Sequence, residues 1–379
     1  MAQTYDLPTN TTQQRIAVAL EGIYEEIKTR NELIDWQHVE KEVLAGNGPA
    51  MYPAGTVFKI PFGPELEYTL QMKVAHHTTI DGKPTMFMHI NVINNYLLNG
   101  MQFDAREFLY YCESALPAGT YYFTLPDWDN TYGGNKSYHF TTTQQIPAGG
   151  GFQLNWEWNT QVTACKVTTF ASRSATAPIE TLSVVEGASG NNLGKADGTS
   201  TNMNHIHRAR YGSNNWKESG VRQCFNSEGA AGTWWKPMTK FDRPPSYAAT
   251  TPGMLSMLPK EFLSVVKHTR LKTHTNNVYE VADTKNSYYE TLDQFFLPSR
   301  FNVYGSRDGV DLGEEQWDIY KDVTNVERIL YNESGSARYV FLRSPNTGYG
   351  IDVWHTTPDG SLYSHYAYDG HAEGLACRI

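Results

Sequence analysis

A chain of 379 residues with a net charge of −9 contains 19% charged and 13% aromatic residues, including 24 tyrosines and 9 tryptophans. This length exceeds what one compact core usually organises, so two or three domains are expected, and the aromatic content argues against disorder. An acidic surface repels phosphate backbones, and we therefore expect no nucleic-acid partner.

The chain carries no pattern typical of export or membrane insertion. No stretch approaches the roughly 20 apolar residues of a membrane span, and the opening residues, MAQTYDLPTN, lack a charged region followed by an apolar one. We expect no membrane insertion and synthesis in the cytoplasm of a host cell. Buried thiols are predicted, without a zinc knuckle or a disulfide framework, because the four cysteines stand singly with no CxxC pair. They are Cys112, Cys165, Cys224 and Cys377.

The first segment, 1–45, predicts one or two amphipathic helices. Apolar residues recur at helical spacing from Ile16 to Val43, and Asn10 and Thr11 are candidate caps. A stripe of this kind is more often packed in a core, but before a β-rich segment it can also serve assembly or attachment.

The segment 46–185 predicts an antiparallel β-rich domain for assembly or display. Short runs such as GTVFKIPF, YTLQMKV and TMFMHINVI are rich in β-branched and aromatic residues, and Gly, Pro, Asn and Asp separate them. Trp128, Trp156 and Trp158 suit a carbohydrate platform, although buried core aromatics are the commoner use of such residues.

A boundary and an α+β segment follow. Residues 186–204 are rich in Gly, Ser and Asn without apolar periodicity, which is typical of a linker or loop. Within 205–379, residues 214–227 and 257–273 predict helices, the second running into a strand, and FFLPSRFNVYG predicts another strand or turn. RYVFLRSP, GIDVWHT, SLYSHYAYD and GLACRI then predict short strands, with a hairpin turn at 358–360. The predicted fold class is α+β.

An ordered set of short phrases runs through more than 150 residues of the second half. They are Asn215-Trp216 with Ser219, Arg222 and Asn226, then Trp234-Trp235, FDRPP from Phe241, FFLPS from Phe295, LRSP from Leu342, Asp359-Gly360 and Ala376-Cys377. With these phrases the C-terminal half resembles a domain family of unknown function, common in bacteriophages and in gut bacteria carrying prophages, whose fold is that of the C-type lectins. Upstream, a W-x-x-V helix at Trp36 to Val39 and the phrases YPAGTVF, QFDAREFLYYC and ALPAGTYYFTL also look like phage members, so the resemblance covers nearly the whole chain. Leu375 and Phe225 depart from the family, which often has Pro and Leu there.

Members of this family are similar to the variable proteins that retroelements diversify by adenine-directed rewriting of the codons of the last segment. The best known of these determines tropism at the tips of phage tail fibres. The resemblance implies a virion-surface protein, on tail or head, that binds a host-cell surface protein or glycan and contacts other virion proteins through its N-terminal region. It also implies a homo-oligomer, such as a trimer, because several weak sites on one particle give high avidity. The fold expected from it is N-terminal helices and a β-rich domain followed by a C-type-lectin-like domain at 205–379.

The residues of 346–373 are themselves typical of a recognition surface. Aliphatic side chains are sparse, whereas tyrosine supplies rigid area and short polar groups supply adaptable hydrogen bonds. The alternative interpretation is a tyrosine-rich hairpin that only covers the core. The predicted variable, ligand-facing positions are Asn346, Tyr349, Ile351, Asp352, His355, Thr357, Tyr363, His365, Asp369 and His371. The predicted framework positions are Trp216, Arg222, Arg343, Trp354, Gly360 and Cys377.

No metal or cofactor is expected. A metal site needs three or four converging ligands, and two histidine groups lack them. These groups are His205 and His207 with Asp197, and His76 with His77. Asp352, Asp359 and Asp369 are candidates for calcium, but the EPN- or QPD-like triplet of sugar-binding lectins is absent.

Enzymatic activity is not expected either. Formylglycine-generating enzymes share the lectin-like fold, but they use a pair of cysteines near the end of the chain, and only Cys377 stands there. Neither a GxSxG nor a P-loop motif occurs. A structural virion protein that decorates the particle without binding a ligand remains the main alternative to a receptor-binding protein.

Overall fold

Short helices and a larger number of β-strands make up the described part of the chain. The computed structural model describes residues 34–103, 109–112, 114–124, 137–155, 166–170, 206–209, 214–236, 244–274, 288–347 and 352–379. Strands predominate in it and helices are few, a composition compatible with the predicted α+β class. No helix among these residues is long and apolar enough to cross a membrane.

The described residues form five α-helices and eighteen β-strands. The helices are α1 Trp36–Leu44, α2 Gly48–Met51, α3 Gly220–Phe225, α4 Lys260–Val265 and α5 Arg300–Tyr304. The first ten strands are β1 Val57–Phe62, β2 Tyr68–Ile80, β3 Lys83–Ile90, β4 Asn99–Met101, β5 Leu109–Cys112, β6 Gly119–Thr124, β7 Ser137–Thr142, β8 Gly151–Asn155, β9 Lys166–Phe170 and β10 Ile206–Ala209. The others are β11 Thr269–His274, β12 Tyr288–Asp293, β13 Phe295–Phe296, β14 Val340–Pro345, β15 Asp352–Thr356, β16 Leu362–Tyr366, β17 His371–Glu373 and β18 Ala376–Arg378.

The first large sheet has the strand order β1-β2-β3-β18-β13 and is antiparallel throughout. Strand β18 lies inside it, so Cys377 is paired with Met88 of β3 on one side and with Phe295 of β13 on the other. Cys377 and Phe295 are fully buried, which places this strand in the core.

The second large sheet has the order β16-β15-β14-β17-β4. Strands β14, β15 and β16 form an antiparallel meander, β17 lies parallel to β14, and β4 closes the far edge. Among the described strands, β16 is therefore bonded on one side only, which makes it an edge strand of this sheet.

The two sheets join segments that the sequence assigns to different domains. Strand β3 pairs with β18 and β4 with β17, although 46–185 is predicted as a domain separate from 205–379. Strand β5 likewise pairs with β10 across the predicted linker of 186–204, which lies outside the described residues. The predicted division is corrected accordingly: residues 57–101 share both sheets with residues 371–378. Backbone N–H and C=O groups at the edge of a strand need hydrogen-bond partners. Strands β18 and β17 supply them to β3 and β4, respectively.

Helix α1 packs its apolar side into the core. Asp35 caps it by accepting a hydrogen bond from the backbone N–H of His38 at 3.0 Å. Its buried residues are Trp36, Val39 and Val43. The Trp36 ring centroid lies 4.6 Å from that of Phe262 in α4. The predicted helix is confirmed here, and for this helix the structure favours core packing; residues 1–33 lie outside the described part, so attachment through them stays a prediction.

The segment 295–305 differs from the predicted strand or turn, because its second half is a helix. Phe295–Phe296 forms β13, and α5 then begins after Ser299. The Ser299 hydroxyl accepts from the backbone N–H of Asn302 at 3.1 Å, and the Asn302 side chain accepts from the N–H of Ser299 at 2.8 Å. This reciprocal cap favours a helix, which Gly305 ends with a φ of +63°.

A buried carboxylate ties the first helical turns of the C-terminal half to a strand. Asp293 of β12 is 1% exposed. It accepts a hydrogen bond from the indole of Trp216 at 2.9 Å and from Nε of Arg222 at 2.8 Å. Removing one partner of such a buried pair leaves the other charge uncompensated. The resulting loss of stability is far larger than the stability that the intact pair contributes.

We predict that Asp293→Ala lowers the free energy of unfolding by about 3 to 5 kcal/mol, because Arg222 and the Trp216 indole then lose a buried acceptor. Glu290→Ala on the same strand is the matched control. Its carboxylate pairs at 2.9 Å with the exposed Arg270, and loss of such a surface pair costs about 1 kcal/mol or less. Urea denaturation of both variants measures the difference, and equal losses would contradict the assigned role of Asp293.

Candidate functional site

The β15–β16 hairpin closes through a hydrogen-bonded turn at the predicted position. The N–H of Gly360 donates to the carbonyl of Thr357 at 2.8 Å, and the Thr357 and Ser361 hydroxyls lie 2.8 Å apart. The Ser361 hydroxyl also donates to Asp359 at 2.6 Å. Hydrogen bonds from Ser361 and Thr357 lower the pKa of the exposed Asp359 to about 2.

The tip of this turn is docked against the rest of the domain. Gly360 has a φ of +79°, and a Cβ added to it would lie 1.7 Å from the carbonyl oxygen of Asn325. The Tyr304 hydroxyl donates to the carbonyl of Gly360 at 2.9 Å, and burial raises the pKa of Tyr304 to about 12. Only glycine fits this approach, which explains the framework position predicted at 360.

The hairpin presents two different faces, since residues paired across an antiparallel ladder point to the same side. The first face carries Val353, His355, Tyr363 and His365. The second face carries Asp352, Trp354, Ser364 and Tyr366.

The second face is held to the scaffold. The Trp354 indole donates to Asp308 at 3.1 Å, and the guanidinium of Arg300 lies 4.1 Å from its ring centroid. These contacts fix Trp354 in place, which is what its predicted framework role requires.

A short polar chain continues this second face towards the start of β15. The Asn346 amide donates to the Ser364 hydroxyl at 2.9 Å, and that hydroxyl contacts Asp352 at 3.3 Å. Burial raises the pKa of Asp352 to about 6. Asn346 is only 7% exposed, so its amide is occupied by contacts within the sheet and not by solvent.

The first face gathers three imidazoles and a carboxylate into what we call the histidine cluster, comprising His355, His365, Asp369 and His371. The ring centroids of His355 and His371 are 5.3 Å apart, and that of His365 is 6.3 Å and 6.2 Å from them. Asp369 Oδ2 lies 2.6 Å from His365 Nδ1. One nitrogen or oxygen atom from each of His365, Asp369 and His371 lies within 4.8 Å of the other two.

Aromatic rings border the histidine cluster. The Tyr339 ring stacks on His371 at 5.1 Å, and Phe341 lies 4.8 Å from the same imidazole. Burial lowers the pKa of His355 to about 3 and that of His371 to about 4, so both rings are neutral at pH 7. Tyr363 stands at the open side with 58% of its surface exposed.

The predicted ligand-facing residues fall into separate environments. Those that come together at the edge of the second sheet are Tyr363, His365, Asp369 and His371. Asp352 and Thr357 are partly exposed elsewhere on the hairpin. Asn346 and His355 are buried, His355 to 1% exposure, so their prediction as ligand-facing side chains is corrected: neighbouring side chains cover both. Tyr349 and Ile351 lie outside the described residues.

The predicted framework residues are all packed or hydrogen-bonded within the scaffold. Arg343 is buried and donates to the carbonyl of Leu297 at 3.0 Å and to the side chain of Asn302 at 3.1 Å. It also forms an ion pair with Glu314, and burial lowers its pKa to about 9. Cys377 is a buried free thiol in β18.

The two adjacent histidines His76 and His77 contact other groups of the protein. His76 Nε2 lies 2.7 Å from Glu315 and its Nδ1 lies 3.0 Å from Asp318, while His77 Nε2 is 2.8 Å from the carbonyl of Tyr52. A cavity of about 310 Å³ lies beside His76 and is also lined by Arg343, Glu314 and Lys272. The buried charges at its wall are paired with each other, which favours a structural role.

Several other predictions fall on residues whose side chains lie outside the described part of the chain. They are Trp128, Trp156, Trp158, Cys165, Asp197, His205 and His207.

The grouping of His365, Asp369 and His371 was not foreseen as a unit. The three residues stand within seven positions, in the pattern H-x-x-x-D-x-H, which is a usable signal. It becomes a cluster because the chain turns at 367–370 and brings the His371 ring to 6.2 Å from that of His365.

Comparison with known proteins gives one family match. Residues 191–374 are similar to the model of a domain of unknown function, DUF6273. The matched stretch is just under half of the chain; it contains the histidine cluster, but it leaves out β1 to β4 and β18, which complete the two large sheets. No characterised protein and no solved structure matches the chain.

We predict that Gly360→Ala destabilises the protein by several kcal/mol, because a methyl group would collide with the backbone of Asn325 and because the φ of +79° is strained for alanine. Gly335→Ala is the control, since Gly335 has a φ of +80° with nothing within 4 Å of the added Cβ. That variant is expected to lose only about 1 kcal/mol, from conformation alone. The difference between the melting temperatures of the two variants measures what the close contact with Asn325 contributes. Equal decreases in melting temperature would mean that the turn is not docked.

Proposed function

We propose that this chain is a receptor-binding protein of a phage virion, with a C-type-lectin-like C-terminal region whose exposed edge binds a protein or glycan of the host surface. The observation that carries the proposal is the difference between the two faces of the β15–β16 hairpin. Trp354 and its neighbours on one face bond to the scaffold, whereas Tyr363 and His365 stand on the edge strand with much of their surface open.

The chemistry of this edge suits recognition. Tyr363 offers a rigid, amphipathic ring, and Tyr339, whose surface is 47% exposed, lies beside the histidine cluster. His365, Asp369 and His371 add hydrogen-bonding groups beside these rings. Binding energy in such surfaces is concentrated in a few aromatic anchors surrounded by adaptable polar contacts.

The same arrangement supports diversification of the edge. A side chain on an edge strand contacts few scaffold atoms, so replacing it costs little stability, whereas substitution of a buried residue disturbs a packed site. We therefore narrow the proposed variable, ligand-facing set to residues that are at least partly exposed among those described. These are Asp352, Thr357, Tyr363, His365, Asp369 and His371.

The proposal predicts that the full chain binds intact cells of some gut bacterial strains, or some glycans of an array, and that Tyr363→Ala weakens this binding about tenfold or more. The reason is that loss of an aromatic anchor at the centre of an interface typically costs about 2 kcal/mol or more. Binding is measured by flow cytometry with labelled oligomeric protein over a panel of strains. The full chain is required because β1 to β4 complete the sheets of the C-terminal region.

Tyr288→Ala is the control for this experiment. Tyr288 is another exposed tyrosine, at 42%, but it lies on the β11–β12 hairpin and away from the histidine cluster. Its replacement is expected to leave cell binding unchanged. Absence of binding to every strain and glycan, or an equal loss in both variants, would favour a decoration protein instead.

A further inference from the structure

We propose that His365, Asp369 and His371 form a binding site for a divalent transition-metal ion of the zinc class. This departs from the expectation that the chain binds no metal. The inference concerns the ion alone and does not depend on whether the same edge binds a host receptor.

Suitable ligand atoms converge at this place. One atom each from His365, Asp369 and His371 already lies within 4.8 Å of the others. Around an ion with bonds of about 2.0 to 2.2 Å, tetrahedral ligand atoms lie roughly 3.3 Å apart. Closing this gap requires rotation of the His365 and Asp369 side chains, both of which are partly exposed. Two imidazoles and one carboxylate are a common protein ligand set for zinc, and they leave one position for water or another group.

The backbone that carries these ligands is fixed by contacts with the rest of the fold. The turn between β16 and β17 is anchored by Ala367, whose carbonyl accepts from the N–H of Phe103 at 2.9 Å. Ala367 and Tyr368 are buried, and Gly370 passes so close to Gly100 that an added Cβ would lie 3.0 Å from its carbonyl oxygen. The fold therefore holds the backbone of the three ligand residues in one place, in addition to the contact between His365 and Asp369.

An imidazole nitrogen without a hydrogen-bond partner lies beside the site. His355 is buried, and its Nδ1 has no hydrogen-bond partner of good geometry among the described residues. Its ring lies next to those of both His365 and His371. Burying a polar nitrogen without a partner is unfavourable, and a water molecule bound to the ion would offer one.

The donor set also decides the class of ion. Calcium takes six to eight oxygen ligands, and two imidazoles do not suit it. Zinc, nickel and copper accept mixed nitrogen and oxygen ligands. The competing explanation is an ordinary ion pair between His365 and Asp369, which are four residues apart.

The test is a titration of the full chain with ZnCl₂, using protein without a polyhistidine tag and freed of metal with EDTA. Isothermal calorimetry is expected to show saturable binding of one ion per chain, and the ion is expected to raise the melting temperature. His371→Ala removes one ligand, and Asp369→Asn removes the anionic ligand while keeping its shape. Changes in groups around a metal typically cost about 10- to 100-fold in affinity, so loss of a ligand is expected to cost at least that.

His38→Ala is the matched control, because His38 and Glu42 form a similar surface pair four residues apart, with 3.9 Å between His38 Nδ1 and Glu42 Oε1. It is expected to bind zinc as the unchanged protein does. Circular dichroism and melting without metal show that each variant is folded. The proposal is overturned if the unchanged protein shows no saturable binding. It is equally overturned if both ligand variants keep full affinity or if His38→Ala loses as much as they do. No host ligand enters the measurement, so its outcome is separate from that of the cell-binding test.

Discussion

The segment 371–378 is the constraint on which both large sheets depend. Its first strand, β17, lies between β14 and β4 in the second sheet, and only two residues later β18 lies between β3 and β13 in the first. Gly374 makes this crossing possible, because a Cβ there would lie 3.1 Å from the Val340 side chain and 3.2 Å from that of His89. A backbone path this tightly enclosed leaves little freedom in how the sheets sit against each other.

This crossing also determines where the candidate site lies. His371 opens β17, so one member of the histidine cluster belongs to the most constrained part of the fold. Tyr363 and His365 belong to β16, which among the described strands is bonded to β15 alone. The site thus combines a rigid base with an edge whose side chains are partly exposed, as the proposed recognition surface requires.

Local features of the fold were predictable from the sequence, and long-range ones were not. The helix at Trp36, the hairpin turn at 358–360 and the short strands near it follow from residue spacing and turn chemistry, which act over a few positions. The helix after Ser299 was missed, although its capping residues, Ser299 and Asn302, are visible in the sequence. The pairing of β3 and β4 with strands roughly 270 to 290 residues away has no local signal, because any strand of suitable pattern offers the same backbone groups.

The candidate site shows the same limit. Composition identified the hairpin as rich in tyrosine and histidine, but exposure depends on which face of each strand meets the core. His355 and Asn346 were therefore predicted as ligand-facing and are buried.

The crossing at 371–378 also affects how the protein is made. Until these residues leave the ribosome, both sheets lack an internal strand, and the chain cannot complete its fold. A chain that ends before residue 378 would lack these internal strands, and its open sheets would be exposed to cellular proteases.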